Sequence, residues 1–335
     1  MKDLIILGNG MAGMTAALYA SRANLDFKIV GRDEYDFGQI SNAILVENFP
    51  CIEPMSGFDL AMKLHDQLEA NEIKIEEHEI IRVSRILGSN TAYVFPNDPK
   101  KPVKAVSMSP DIYYKIEYAD GTYDEAKAVI YALGAKHREL NCEIEEGVPI
   151  HYCALCDGAL YKDKTVAIIG GGDVAFTQAE YLSSICENVM IIMCDENITA
   201  SPSITERVKN ISNIDIYFNT PIDKICKDRD GKINICSTYI EKQPFGEDIV
   251  KKRTFVFEKL GIFVAIGMIP NTAPIDIYDV VNKDGYVTAL DTGVSMLNPG
   301  FFAAGDVRTK MTRQALTAAS DGANAVQSAI KYLKE

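Results

Sequence analysis

Apolar positions in this chain come in short, nearly unbroken runs, each followed by glycines and then by a stretch of helical spacing. The run "DLIIL" (3–7) leads into "GNGMAG", then "MTAALYASRANL", then a second run, "FKIV". The same order returns at 164–193 as "KTVAII", "GGGDVA", "FTQAEYLSSICENV" and "MIIM". Short runs without polar alternation predict strands covered on both faces. Strand, G-x-G-x-x-G or G-x-G-x-x-A, helix and strand together predict a unit that sets a tight turn against a helix N-terminus. Two such units predict an α/β protein with two Rossmann-like, nucleotide-binding-type domains.

Polar punctuation fills the intervals. "YKIEYADGTYDEAKAVIY" alternates around Asp120-Gly121 and predicts a hairpin, as does "KDRDGKINICS" around Asp230-Gly231. "DPKKPVK" (98–104) reads as an exposed loop. "RQALTAASDGANAVQSAIKYL" carries apolar and small residues at helical spacing and predicts a long closing helix.

Bulk properties narrow the class. A chain of 335 residues, 47% hydrophobic, supports two cores. No run approaches the ~20 apolar residues that span a bilayer, and the start, "MKDLIILGNG", lacks the pattern of an export signal. We expect a cytoplasmic protein with no membrane partner. A net charge of −13 argues against nucleic acid. Six of the eight cysteines, Cys51, Cys142, Cys186, Cys194, Cys226 and Cys236, stand alone and are expected to be buried small apolar residues.

The remaining two are paired in "HYCALCDGALY". Cys153 and Cys156 have the spacing that closes a small disulfide ring, and a helix beginning there would favour a thiolate. Asp157 stands next to them, placed to exchange a proton with the pair. The same residues with His151 make at most three ligands of a zinc site, and no second C-x-x-C or H-x₃-H supplies a fourth. Redox chemistry is therefore expected, with no metal, and His151 is expected to be structural.

In the first turn, Gly8, Gly10 and Gly13 supply the tight turn, the close backbone approach and the helix packing of a dinucleotide cradle, with Met11 and Ala12 between them. One feature departs from the pattern. The acidic residue that should end the second strand and hold a ribose is Gly31, with Asp33 and Glu34 slightly late.

Together these residues resemble the low-molecular-weight, flavin-containing thioredoxin reductase family. The likeness runs from "GNGMAG" through "GQISNAILVENFP" (38–50), "CALCDG", "GGGDVA" and "GIFVAIGMIPNT" (261–272) to "FFAAGDVRTKMTRQALTAA" (301–319). It implies FAD as cofactor, contacted by Gly8, Gly10, Met11, Ala12, Gly13, Gln39, Asn48, Gly305, Asp306, Arg313, Gln314 and Ala315. By the same likeness Cys156 faces the flavin, Cys153 attacks the protein substrate thioredoxin, and Asp157 is the acid/base. The resemblance also implies a discontinuous FAD domain, 1–134 plus 260–335, an inserted domain, 135–259, hinges near Gly134 and Gly261, and a homodimer.

Members of that family that use NADPH carry His-Arg-Arg, three residues, and Arg after the second glycine turn. The matching positions here are Met193, Cys194, Asp195 and Thr199, so none is basic and one is acidic. An acidic pair in the following helix is replaced by Thr177 and Gln178. A 2′-phosphate would lose hydrogen bonds to charge worth ~1.5–3 kcal/mol each. The chain is thus most similar to the ferredoxin-dependent flavin thioredoxin reductases, which lack these nicotinamide motifs. Reduced ferredoxin is the expected donor, with Lys100, Lys101 and Lys104, or Lys251, Lys252 and Arg253, or Lys136 with Arg138, as basic docking candidates. The alternatives are NADH as donor, with Asp195 on the ribose; NADPH held by some other contact; a flavin enzyme between ferredoxin and a nicotinamide; and a non-catalytic redox-responsive flavoprotein.

Overall fold

The computed structural model describes residues 1–43, 46–87, 91–94, 104–107, 112–241, 249–295 and 297–334. The chain divides into two compact units. One comprises Met1–Lys136 and Ile269–Glu335, the other His137–Met268.

The first unit is built on an eight-stranded sheet. Lys2–Leu7 lies at its heart, parallel to Phe27–Gly31 on one side and to Tyr123–Tyr131 on the other. The apolar run is continuous because both faces are covered. Leu4 and Ile6 enter one core with Met14, Ala17 and Phe302, while Ile5 and Leu7 enter another with Val129, Tyr131 and Phe301. Each fully buried side chain of this kind contributes about 1.5–3 kcal/mol. The helix Met11–Arg22 follows the first strand and presents Met14, Ala16, Ala17 and Ala20 to the core. The closing helix Ala315–Lys334 packs on it at Gly322, where a β-carbon would stand 2.1 Å from the Ala12 carbonyl oxygen. The hairpin at Asp120-Gly121 joins Ile112–Tyr118 to Tyr123–Tyr131, with Gly121 at φ +84°.

In the second unit Thr165–Ile169, Asn188–Ile192, Ile214–Tyr217, Gly261–Val264 and Ile150–His151 form an all-parallel sheet. Alternation again fills two cores, with Val166 and Ile168 on one face and Ala167 and Ile169 on the other. A smaller sheet carries the hairpin Ile222–Lys227 to Ile233–Glu241, with Gly231 at φ +81°.

The boundaries differ from those expected at 134/135 and 259/260. Gly261–Val264 pairs in register with Thr165–Ile169, so this strand belongs to the second unit and the chain returns to the first only at Ile269. Gly261 is therefore a strand residue rather than a hinge. Its β-carbon would stand 2.7 Å from the ring of Tyr161, so glycine leaves room for that ring. Among the described residues no helix is long and apolar enough to cross a membrane.

Candidate functional site

The first glycine turn joins the strand Lys2–Leu7 to the helix Met11–Arg22. Gly8 has φ +106°, and a β-carbon there would stand 2.4 Å from the Ala132 carbonyl oxygen. Gly10 caps the helix without a side-chain bond, so the first helical N–H groups remain available to an anion. The unusual Gly31 has a local cause: a β-carbon on it would lie 2.5 Å from Asn9 Oδ1. Asn9 Nδ2 in turn donates to the carbonyls of Asp33 and Glu34 at 2.8 and 3.2 Å. The acidic side chains come after this contact, where Glu34 Oε1 lies 3.3 Å from His65 Nε2.

The distant segments of the expected cofactor site meet in this unit. Gly305, at φ +78°, lies against Ala12, with 3.0 Å between its β-carbon position and the Ala12 β-carbon. Asn48 Nδ2 donates to Gln314 Oε1 at 3.1 Å, which joins the loop after Gly38–Asn42 to the start of the closing helix. Gln39 lies in the Gly38–Asn42 turn. Arg313 Nε reaches the Asp306 carbonyl at 3.4 Å, and its guanidinium covers the ring of Tyr286 at 4.4 Å. Asp306 Oδ1 is buried without a hydrogen-bond partner, and burial, only partly offset by Lys310 and Arg313, raises the carboxyl above its ordinary range. An acceptor oxygen held in this way suits a ligand hydroxyl, and the glycine turn suits a pyrophosphate. The residues present fit a flavin dinucleotide.

Sequence reasoning missed the clamp beneath this loop. Asp321 of the closing helix is buried and accepts from Arg308 Nε and Nη2 at 3.0 and 2.7 Å, from Lys310 Nζ at 2.8 Å and from the Gly305 N–H at 3.0 Å. The only signal in the sequence is an acidic residue inside an apolar helical stripe.

In the second unit Cys153 and Cys156 form a disulfide with 5.3 Å between their α-carbons. The N–H groups of Cys156 and Asp157 both donate to the Cys153 carbonyl. The helix expected after the pair is a single turn, Ala154–Asp157, which tightens into a 3₁₀ turn at Gly158–Tyr161. The chain has only a few residues in which to reach the strand at Thr165, so no long dipole supports the thiols. Two buried titratable side chains lie beside this turn. Asp157 and His151 are both buried, and His151 Nδ1 lies 3.1 Å from Asp157 Oδ2 while its Nε2 lies 2.7 Å from the Tyr161 hydroxyl.

The second glycine turn is tight and partly filled. A β-carbon on Gly170 would stand 2.4 Å from the Ala265 carbonyl oxygen. Met193 folds inward, buried, with its methyl group 2.6 Å from the β-carbon position of Gly171. Thr199 and Ala200 donate their N–H groups to the Gly171 carbonyl. Asp195 is exposed, and its Oδ1 accepts the Asn197 N–H at 2.8 Å. Arg207, the next arginine along the chain, is held by both carboxylate oxygens of Glu180 at 2.7 and 3.0 Å. Gln178 donates to the Tyr152 carbonyl at 3.2 Å, and so ties the helix Asp173–Ser183 to the residue before Cys153.

Two expectations need correction. Cys51 and Cys194 are exposed rather than buried: Cys51 occupies a left-handed turn position at φ +66°, and Cys194 follows the end of its strand. Of the other lone cysteines only Cys186 is fully buried, and burial pushes its thiol up to about 11. Of the basic candidates, Lys100 and Lys101 lie outside the described residues, as does the side chain of Lys104. Lys251 pairs with Glu241 at 2.6 Å, and Arg253 donates to Thr220 and lies over the ring of Tyr239. Lys252 is exposed.

The chain matches the pyridine nucleotide-disulphide oxidoreductase family over residues 2–322. It is 32% identical to a thioredoxin reductase of Bacillus subtilis, over 99% of this chain and 95% of the relative. It is 34% identical to a 34.2 kDa protein in a rubredoxin operon of Clostridium pasteurianum, over 99% and 97%. Among solved structures, thioredoxin reductase from Streptococcus pyogenes superposes with a TM-score of 0.78 at 30% identity, over 100% and 98% of the two chains. A family match over residues 2–322, with relatives alike across nearly the whole length of each chain, has one reading: the protein belongs to the pyridine nucleotide-disulphide oxidoreductase family and is an FAD-binding oxidoreductase that acts on a disulfide.

Proposed function

We propose that this chain is a ferredoxin-dependent flavin thioredoxin reductase, with reduced ferredoxin as electron donor, FAD as cofactor and the Cys153–Cys156 pair as the dithiol that reduces thioredoxin. The observation that carries the donor assignment is the end of the strand Asn188–Ile192. Met193 is folded in over Gly171, and Asp195 presents negative charge. A 2′-phosphate there would meet the Asp195 charge, and positions 193, 194, 195 and 199 carry no basic side chain to bind it.

FAD supplies the exchange between single electrons and electron pairs. Gly8, Gly10, Met11, Ala12 and Gly13 would hold its pyrophosphate, and Asp306 would accept a hydroxyl through its unpartnered Oδ1. Gln39, Asn48, Gly305, Arg313, Gln314 and Ala315 would frame the remainder. Cys153 attacks the substrate disulfide, Cys156 resolves the mixed disulfide, and Asp157 carries the proton. We read the protein as cytoplasmic and, as the resemblance implies, homodimeric.

A second reading, NADH as donor, is favoured by the exposed Asp195 carboxylate, which has the chemistry of a ribose-hydroxyl acceptor. Turnover decides the route. Reduced ferredoxin should drive thiol formation in thioredoxin with the native chain and not with Cys156→Ser, whose flavin should still be reducible. Turnover by Cys156→Ser would remove the dithiol from the pathway.

A further inference from the structure

We infer that His151 is the positioning and proton-relay residue for Asp157, and that Tyr161 is the outer end of the relay. The inference rests on the proposed route through the dithiol and deepens it. If electrons arrive one at a time from an iron protein, no hydride accompanies them. Reduction of Cys153–Cys156 then consumes two electrons from the donor and two protons from water, breaks the S–S bond and leaves two thiols. A buried Asp157 that hands over a proton must be recharged from solvent.

The geometry provides the route. His151, on the strand Ile150–His151, is about 4% exposed, and both ring nitrogens are engaged, Nδ1 with Asp157 Oδ2 at 3.1 Å and Nε2 with the Tyr161 hydroxyl at 2.7 Å. The imidazole stacks on Phe263, with 5.1 Å between ring centroids. Gly261 leaves the space that the Tyr161 ring occupies. Asp157 Oδ1 is buried and unpartnered, so one carboxylate oxygen is spent on His151 and the other is left free. Tyr161 is half-buried and lines a surface cleft with Pro149, Lys164, Lys227 and Glu258. Among the described residues, the charged and titratable groups around the imidazole and its partners are Asp157 from the dithiol turn, Tyr161 from the 3₁₀ turn, Lys164, whose Nζ lies 5.7 Å from the Tyr161 ring centroid, and Lys227, Glu258 and Lys259, which line the same cleft as Tyr161. The strand Gly261–Val264 contributes only the neutral Phe263.

The chain of three groups has two arrangements with the same heavy-atom positions. With Asp157 ionised, Nδ1–H donates to Oδ2 and Nε2 accepts from the Tyr161 hydroxyl. With Asp157 protonated, its hydroxyl donates to Nδ1, and Nε2–H donates to the Tyr161 oxygen. The first becomes the second when the Nδ1 proton passes to Oδ2, the tyrosine proton passes to Nε2, and water reprotonates the phenol. The net change is one proton from water to Asp157. Burial, together with the Asp157 charge, holds the Tyr161 phenol above its ordinary range, so it begins each cycle protonated.

The test is turnover of the holoenzyme with thioredoxin, driven by reduced methyl viologen, a one-electron donor that carries no proton and removes dependence on ferredoxin. His151→Asn retains an amide donor toward Asp157 but cannot relay. It should turn over near the native rate at pH 6 and about tenfold or more slower at pH 8.5, where protons are scarce. Tyr161→Phe should show the same tilt. Free imidazole should restore the alkaline rate of His151→Ala. A loss in His151→Asn and Tyr161→Phe that is uniform across pH would make both residues merely structural and overturn the relay. If Asp157→Asn turns over like the native chain at every pH, the acid/base reading of Asp157 falls instead. If Asp157→Asn is slow while His151→Asn and Tyr161→Phe follow the native pH profile, only the relay falls.

Discussion

A β-carbon on Gly13 would stand 1.7 Å from the Gly8 carbonyl oxygen, so the helix Met11–Arg22 closes on its strand only because position 13 has no side chain. Gly13→Ala must push that helix end away from the turn. FAD affinity should fall at least about tenfold, ~1.4 kcal/mol, measured by titrating the apoprotein with FAD and following flavin fluorescence. A native-like affinity would remove this turn from the cofactor site.

Asp306 sets stability against binding. Its carboxyl holds a proton above the ordinary carboxylate range because it is buried. Between the ordinary range and the raised folded value, the folded chain carries more protons than the unfolded one, so this group's contribution falls as pH rises. In the apoprotein, Asp306→Asn should therefore be more stable than the native chain at neutral pH. The gain should vanish as pH falls toward the ordinary carboxylate range. FAD affinity should drop. Thermal melts of both apoproteins from pH 4 to pH 8 check the first claim, and FAD titration checks the second.

Asp321 is expected to matter more than any surface pair. Asp321→Ala leaves Arg308 and Lys310 buried without their shared partner, at a cost of about 3–5 kcal/mol. Arg207→Ala removes the exposed contact with Glu180, worth under about 1 kcal/mol. Denaturant titrations of the two variants should separate by that difference. Equal effects would mean that the Asp321 cluster does not hold the loop at Gly305.

What the sequence made legible is local. The glycine turns, both Asp-Gly hairpins and the closing helix are written in consecutive residues, because turn conformation and amphipathic spacing act over a few positions. The Cys153–Cys156 pairing was legible for the same reason. Contacts between distant segments were not. Nothing near Asp321 announces Arg308, and His151 looks like an isolated histidine until the fold brings Tyr161 to its Nε2. The place of "GIFVAIG" is not legible in the same way, because it is an ordinary apolar run and only its pairing with Thr165–Ile169 sets it in the second unit. Met193 followed the opposite course. As a missing cation it was visible at once, but its packing over Gly171 required the fold.

The central claim is that electrons enter from a one-electron protein carrier and not from a pyridine nucleotide. The most direct measurement is the absorbance of the oxidised flavin in the anaerobic holoenzyme, after separate additions of NADH, NADPH and reduced ferredoxin. Bleaching is predicted with reduced ferredoxin alone. Rapid bleaching by NADH or NADPH, with ferredoxin inert, would contradict it.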